Sequence, residues 1–214
     1  MPVVLLVVAA WITLAAIPRS HGILAFVLMW GVMAIAMMIP TVMRPLQRAA
    51  AGSAVRALHF VCGFVCVWLV VGVPAYLVMN AIVWTPAWVA LAWMGAGAYQ
   101  LTPWMLRNVA ACHTVQFDGR PLAYGMRQGL RCVASCWPVM MAVMVTAMVI
   151  PSALLSVAAL ALVTIAVCWE KDPRTSTRMV AALGVALLLM GAAGFVTLGG
   201  GTGQSHHAIG SSTS

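Results

Sequence analysis

Apolar residues run along this chain in long blocks rather than in alternation. Residues 20–43, 57–106, 132–169 and 179–214 contain no Asp, Glu, Lys or Arg. A helix of about 20 apolar residues crosses the hydrocarbon core of a bilayer. The period-2 alternation of membrane strands is missing, which argues against a β-barrel. The pattern predicts an all-α, polytopic transmembrane helix bundle of about seven spans: 2–17, 22–43, 57–80, 83–106, 132–150, 153–169 and 179–198. Six remain if the first is a cleaved signal, but no Lys or Arg precedes it, so a retained anchor is the better reading. Residues 1–198 form one transmembrane domain, and the Gly/Ser-rich residues 199–214 a flexible tail. In that tail His206 and His207 read as polar tail residues rather than ligands.

The polar positions between the blocks set orientation. The segments after the second, fourth and sixth spans carry Arg44, Arg48, Arg56, Arg107, Arg120, Arg127, Arg131, Lys171, Arg174 and Arg178, against Arg19 alone on the other side. Basic residues favour the cytoplasm. The expected protein is therefore a multi-pass resident of a bacterial cytoplasmic (inner) membrane, with its N-terminus inside and its tail outside. Only 7% of residues are charged, where soluble domains have about a quarter. The net charge of +8 comes from these scattered arginines and not from a basic run, so it signals topology and not nucleic-acid binding.

Sulfur is the candidate chemistry. In the fifth span Cys132, Cys136, Met140, Met144 and Met148 stand four residues apart, so they stack along one helix face. Met29, Met33 and Met37 repeat that spacing in the second span, and His59, Cys62 and Cys66 share a face near the start of the third. Cys112 and His113 are adjacent in the polar segment 107–131. With the orientation above, all six cysteines fall in or near the inner half of the membrane. A reducing cytoplasm disfavours disulfides there, and thiolate and thioether donors suit Cu(I). The expected metal ligands are Cys132, Cys136, Cys112, His113, Cys62, Cys66 and His59, with Met33, Met37, Met140 and Met144 as a weaker thioether path. The competing reading is that these residues only pack, since Met and Cys are apolar enough to do so.

Three further features are less specific. Pro138 either kinks the fifth span or separates an edge piece, Cys132–Trp137. Glu170 and Lys171 read as an interfacial ion pair facing solvent, with Cys168 a packing residue beside Trp169. Tyr99 and Gln100, at the end of an apolar span, need partners and either line the site or tie helices together. There is no nucleophile–base pair, paired carboxylate, phosphate loop or C-x-x-C motif, so no catalytic activity is expected.

The segments MWGVMAIAMMIP (29–40), AGAYQLTP (96–103) and GLRCVASCW (129–137), followed by Glu170–Lys171, together resemble an uncharacterised bacterial family of predicted metal-binding integral membrane proteins. The likeness runs from about Met29 to Lys171. It implies a metal-binding membrane protein. The chain departs from the family pattern at Met105 and Asn108, where the family has a Lys and a Cys, and at Ser135, where it has a second Cys beside Cys136. A shifted ligand set using His113 or Cys132 would accommodate these losses.

Two functional classes follow. One is a protein that binds Cu(I) at the cytoplasmic side for relay, transport or sensing, with the lipid bilayer, the metal ion and another membrane or metallochaperone protein as partners. The other is a non-catalytic membrane subunit or assembly factor whose sulfur residues only pack. A thiol oxidoreductase would need a reactive, low-pKa cysteine.

Overall fold

Proline has no amide hydrogen to leave unsatisfied in the first turn of a helix, and its φ is already helical. Pro86, Pro103 and Pro121 accordingly open three helices. The computed structural model of the protein describes residues 2–16, 22–114, 116–150, 153–171 and 177–201. The helices are α1 (Pro2–Ala16), α2 (Ile23–Met38), α3 (Met43–Ala50), α4 (Ala54–Ala81), α5 (Pro86–Gln100), α6 (Pro103–Thr114), α7 (Pro121–Val149), α8 (Ala153–Glu170) and α9 (Thr177–Gly201). A 3₁₀ turn, Pro40–Val42, joins α2 to α3. No strand occurs among the described residues, in keeping with the all-α class.

Two long helices organise the rest. α4 has 28 residues and α7 has 29, each about 42–44 Å at 1.5 Å per residue. They pack through small residues. A Cβ on Gly63 would fall onto the carbonyl oxygen of Leu122, and one on Gly125 onto that of Phe60. Only glycine allows backbones to approach that closely. Phe60, Phe64 and Tyr124 fill the space beside the seam, with Phe60 and Tyr124 ring centroids 5.6 Å apart. α5 and α9 form a second pair of the same kind, where a Cβ on Gly97 would lie 2.6 Å from the carbonyl oxygen of Gly184. Gly95, two residues earlier on the same helix, faces open space.

Indoles tie the remaining helices in. Trp11 Nε1 donates to the Ala36 carbonyl at 3.1 Å, joining α1 to α2. Trp93 Nε1 donates to Thr146 Oγ1 at 3.0 Å, joining α5 to α7.

Among the described residues fewer spans are evident than the seven that the sequence pattern suggests. Among the described residues two helices, α4 and α7, are long and apolar enough to cross a membrane; the pair α2 and 40–50, bent by 49°, makes a third if it counts as one span. Shorter apolar stretches are Leu5–Leu14, Leu160–Trp169 and Met179–Phe195. The window 83–106 shows one reason. Its helix stops at Gln100 and restarts at Pro103, because Thr102 caps the new helix by accepting from Met105 N at 3.2 Å. α5 is thus 15 residues long, about 22 Å, short of a ~30 Å core.

Three segments read as loops are helical. Residues 43–50 form α3, which buries Leu46 and Ala49 and ends on the left-handed Ala51 (φ 43°) and Gly52 (φ 80°). The polar segment 107–131 consists largely of the rest of α6 and the first turns of α7, so Cys112 and His113 sit in the last turn of a helix rather than in a loop. α7 begins at Pro121, eleven residues before Cys132, because Tyr124, Gln128 and Cys132 already share a buried face there. Pro138 lies inside this one continuous helix. Residues 199–201, assigned to the tail, still belong to α9. Arg19, Arg174, His206 and His207 lie outside the described residues, as do the side chains of Cys112, His113, Glu170 and Arg178.

Candidate metal centre

A four-residue step turns an α-helix by about 400°, so each rung lies roughly 40° from the last. α7 buries this row. Cys132 is 0% exposed, Cys136 2% and Met140 0%; Met144 is half-buried, and Met148 emerges at the surface. The first three rungs belong to one apolar core with Met33, Met37 and Met38 of α2 and with Val163 and Val167 of α8. Met144 packs against that core.

The two thiols are neighbours. Cys132 and Cys136 are both buried, one helical turn apart, and interact electrostatically. Ser135 sits between them, where its hydroxyl is shared between the carbonyls of Arg131 (3.1 Å) and Cys132 (3.0 Å), with its oxygen 3.5 Å from Cys136 Sγ. The end of α8 closes the group. Lys171 is buried and its Nζ donates to Cys132 Sγ at 3.1 Å. Cys168, one turn earlier and half-buried, lies within electrostatic reach of Lys171 and Cys136. None of Cys62, Cys66, Cys132, Cys136 and Cys168 is in a disulfide.

Lys171 therefore corrects the expectation of a solvent-facing pair at 170–171. It is the only lysine among eleven basic residues, and that was the signal available. A compact ammonium on a flexible stem can reach a buried thiol where a planar guanidinium would not fit.

The other expected ligands go elsewhere. His59, Cys62 and Cys66 are exposed on α4, more than a quarter-turn from the Phe60–Gly63–Phe64 face that packs on α7. They do not join Cys132 and Cys136. Among the described residues no three His, Cys, Asp or Glu side chains converge well enough to hold a metal ion. What converges is two thiols with thioethers beside them.

A neighbouring contact holds the centre in shape. Pro138 has no amide to donate, which leaves the Ala134 carbonyl without its helical partner. Tyr99 OH fills that vacancy by donating to the Ala134 oxygen at 2.5 Å, and its ring meets Trp137 edge-on at 5.9 Å. The AGAYQLTP and GLRCVASCW segments thus touch one another, and Tyr99 ties helices rather than lining the thiols.

Residues 27–194 match the family PpoB2, described as a copper chaperone. The chain belongs to that family. The PpoB2 match runs from α2 to near the end of α9 and takes in every rung of the sulfur row. It agrees with the metal-related part of the sequence resemblance. No curated protein and no solved structure matches the chain.

Proposed function

We propose that the protein is a membrane-embedded copper carrier that takes Cu(I) onto Cys132 and Cys136 and relays it to another protein. One observation carries this reading: two thiols one helical turn apart on one buried face, with Met140 on the next turn. The copper-chaperone description of PpoB2 supports the choice of cargo.

The donor set suits a soft monovalent ion. Thiolates and thioethers select Cu(I) over hard cations. Two sulfurs with a third nearby suit the low coordination numbers of Cu(I), where a tetrahedral zinc site needs four ligands. Each thiol gives up a proton as the ion binds, so two thiolates and one Cu(I) carry a net charge of −1. The Lys171 ammonium beside Cys132 offsets that charge in an apolar core, where an isolated one would be costly. Met140, Met144, Met33 and Met37 are neutral donors, which hold the ion more weakly and let it leave. Cys112 and His113, in the last turn of α6, are candidates for an entry ligand.

In this reading α4, α7 and the bent α2–α3 unit anchor the chain in a bacterial inner membrane. The shorter apolar helices complete about seven crossings, α5 where the bilayer thins around a short helix, with the N-terminus inside and the tail outside. The middle of α7 and the end of α8, which hold the thiols, then lie toward the cytoplasmic side, where a metallochaperone or a membrane partner would exchange Cu(I) with them. The role is that of a carrier and not of an enzyme.

A second reading is a membrane subunit whose sulfur only packs, favoured by the near-complete burial of Cys132, Cys136 and Met140. Copper analysis separates the two. Protein purified in mild detergent and exposed to Cu(I) under a thiol-free reductant is expected to retain about one ion per chain, as a single two-thiolate site dictates. The Cys132→Ser/Cys136→Ser variant should retain almost none. Equal, negligible copper in both would leave packing as the role of these residues.

A further inference from the structure

A cavity of about 520 Å³ lies in the groove between α6 and α7. Its walls follow helical spacing: Trp104, Asn108 and Ala111 from α6, and Arg127, Leu130, Arg131 and Ala134 from α7. We infer that this groove binds the phosphate headgroup of an anionic lipid, with Arg127 and Arg131 as its cationic contacts. The inference rests on the membrane part of the reading above and not on the copper part.

Charge comes first. Arg127 and Arg131 are one turn apart on the same helix, an arrangement of like charges that disfavours the helix unless an anion sits between them. The acid at hand is Asp118, which holds Arg127 at 2.6 Å. Arg131 is steered instead by a neutral amide. Asn108, 4% exposed, accepts from Arg131 Nη1 at 3.3 Å while its own Nδ2 donates to the Trp104 carbonyl at 2.9 Å. Each guanidinium carries five N–H groups in a planar fork, so both are held in place with donors left for a phosphate.

Shape and surroundings separate a lipid from a soluble anion. Trp104 and Leu130 on the groove walls are 60% and 59% exposed. Beyond Arg131 the α7 sequence has no further charge up to Val149. Going along α7, the arginines are thus the last charges before an uncharged, largely apolar stretch, with an indole at the same level. That is the layering of a headgroup region above acyl chains. A phosphate held by the arginines would lay its chains along this exposed apolar surface, which a free phosphate would leave bare.

The test uses the full chain in mild detergent. Phosphatidylglycerol is added, with phosphatidylcholine and inorganic phosphate as separate arms, and bound lipid is counted by native mass spectrometry beside thermal unfolding. Wild type is expected to retain phosphatidylglycerol and to melt at a higher temperature with it, and to respond to neither other arm. Arg127→Gln/Arg131→Gln should bind phosphatidylglycerol roughly thirtyfold more weakly, about fivefold per arginine. Arg107→Gln, an exposed α6 arginine outside the groove, should bind as wild type. If the double variant does not fold, Arg131→Lys serves, since it keeps the charge and loses the fork; weaker retention is expected. An equal response to inorganic phosphate, or equal losses in Arg107→Gln and the groove variants, overturns the assignment. Copper content should be unchanged in all of them, so failure here leaves the metal reading standing, and failure of copper binding leaves this one standing.

Discussion

Tyr99 and Pro138 compensate for one another. Proline leaves the Ala134 carbonyl without a donor, and the phenol 35 residues away supplies one. Tyr99→Phe should therefore destabilise the protein by about 0.5–1.5 kcal/mol, the usual worth of one hydrogen bond, since Ala134 is half-buried and borders the α6–α7 groove. In a Pro138→Ala background the restored amide can satisfy Ala134, and the same change should cost much less. Chemical unfolding of the four variants in detergent measures this coupling, and equal costs in both backgrounds would dissociate the two residues. A second residue-scale prediction concerns Asp118. The Arg127 guanidinium beside it holds its carboxyl below the ordinary carboxylate range. A depressed pKa means that the pair supports the entry to α7 above the unfolded value of about 3.9 and loses that support as pH falls through the lowered one. Arg127→Gln should move the Asp118 titration back upward, read from its side-chain NMR shift.

Among the elements, the glycines divide into those that fix a helix pair and those that do not. Gly125 lies against the Phe60 carbonyl, so a methyl there must push α7 off α4. Gly95 has nothing within 4 Å of the added carbon. Gly125→Ala is expected to cost about 1–3 kcal/mol or more, as overpacking does, while Gly95→Ala should be neutral or stabilising by up to about 1 kcal/mol. Thermal unfolding of the two variants makes the comparison. The same pair shows what the sequence could and could not reveal. Spacing alone cannot separate Gly95 from Gly97, since which glycine faces α9 depends on the rotation of α5. Spacing did reveal the Cys132–Cys136–Met140 row, because that relation is local to one helix. It could not place His59, Cys62 and Cys66, whose common face on α4 is real but turns away from the packed seam. Nor could it see the Lys171–Cys132 contact, which joins residues 39 positions apart. Charge marked residues 44–56 and 107–131 as loops, yet α3 and the start of α7 are amphipathic helices whose buried faces are carried by few residues, such as Leu46 and Tyr124.

Across the whole molecule the fold sorts its thiols into two populations, and this yields a test of both the core and the bilayer placement. Cys62 and Cys66 are exposed on α4, while Cys132 and Cys136 are enclosed between α7, α8 and the α2 core. Both pairs lie on helices long and apolar enough to cross a membrane, so burial in the protein and burial in lipid make different predictions for them. In a Cys112→Ser/Cys168→Ser background, a small lipid-soluble maleimide should modify Cys62 and Cys66 first. Cys132 and Cys136 should react at least about a hundredfold more slowly, because reaction waits on opening of the packed core. A charged maleimide of similar size distinguishes lipid from water. Cys66 lies one turn deeper than Cys62, and if α4 crosses the bilayer the charged reagent should reach Cys66 less readily than the lipid-soluble one does. Equal labelling of Cys66 by both reagents would place this face of α4 in water and remove the bilayer from the reading. Equal labelling rates at all four cysteines would contradict the enclosed thiol pair, and with it the site on which copper relay depends.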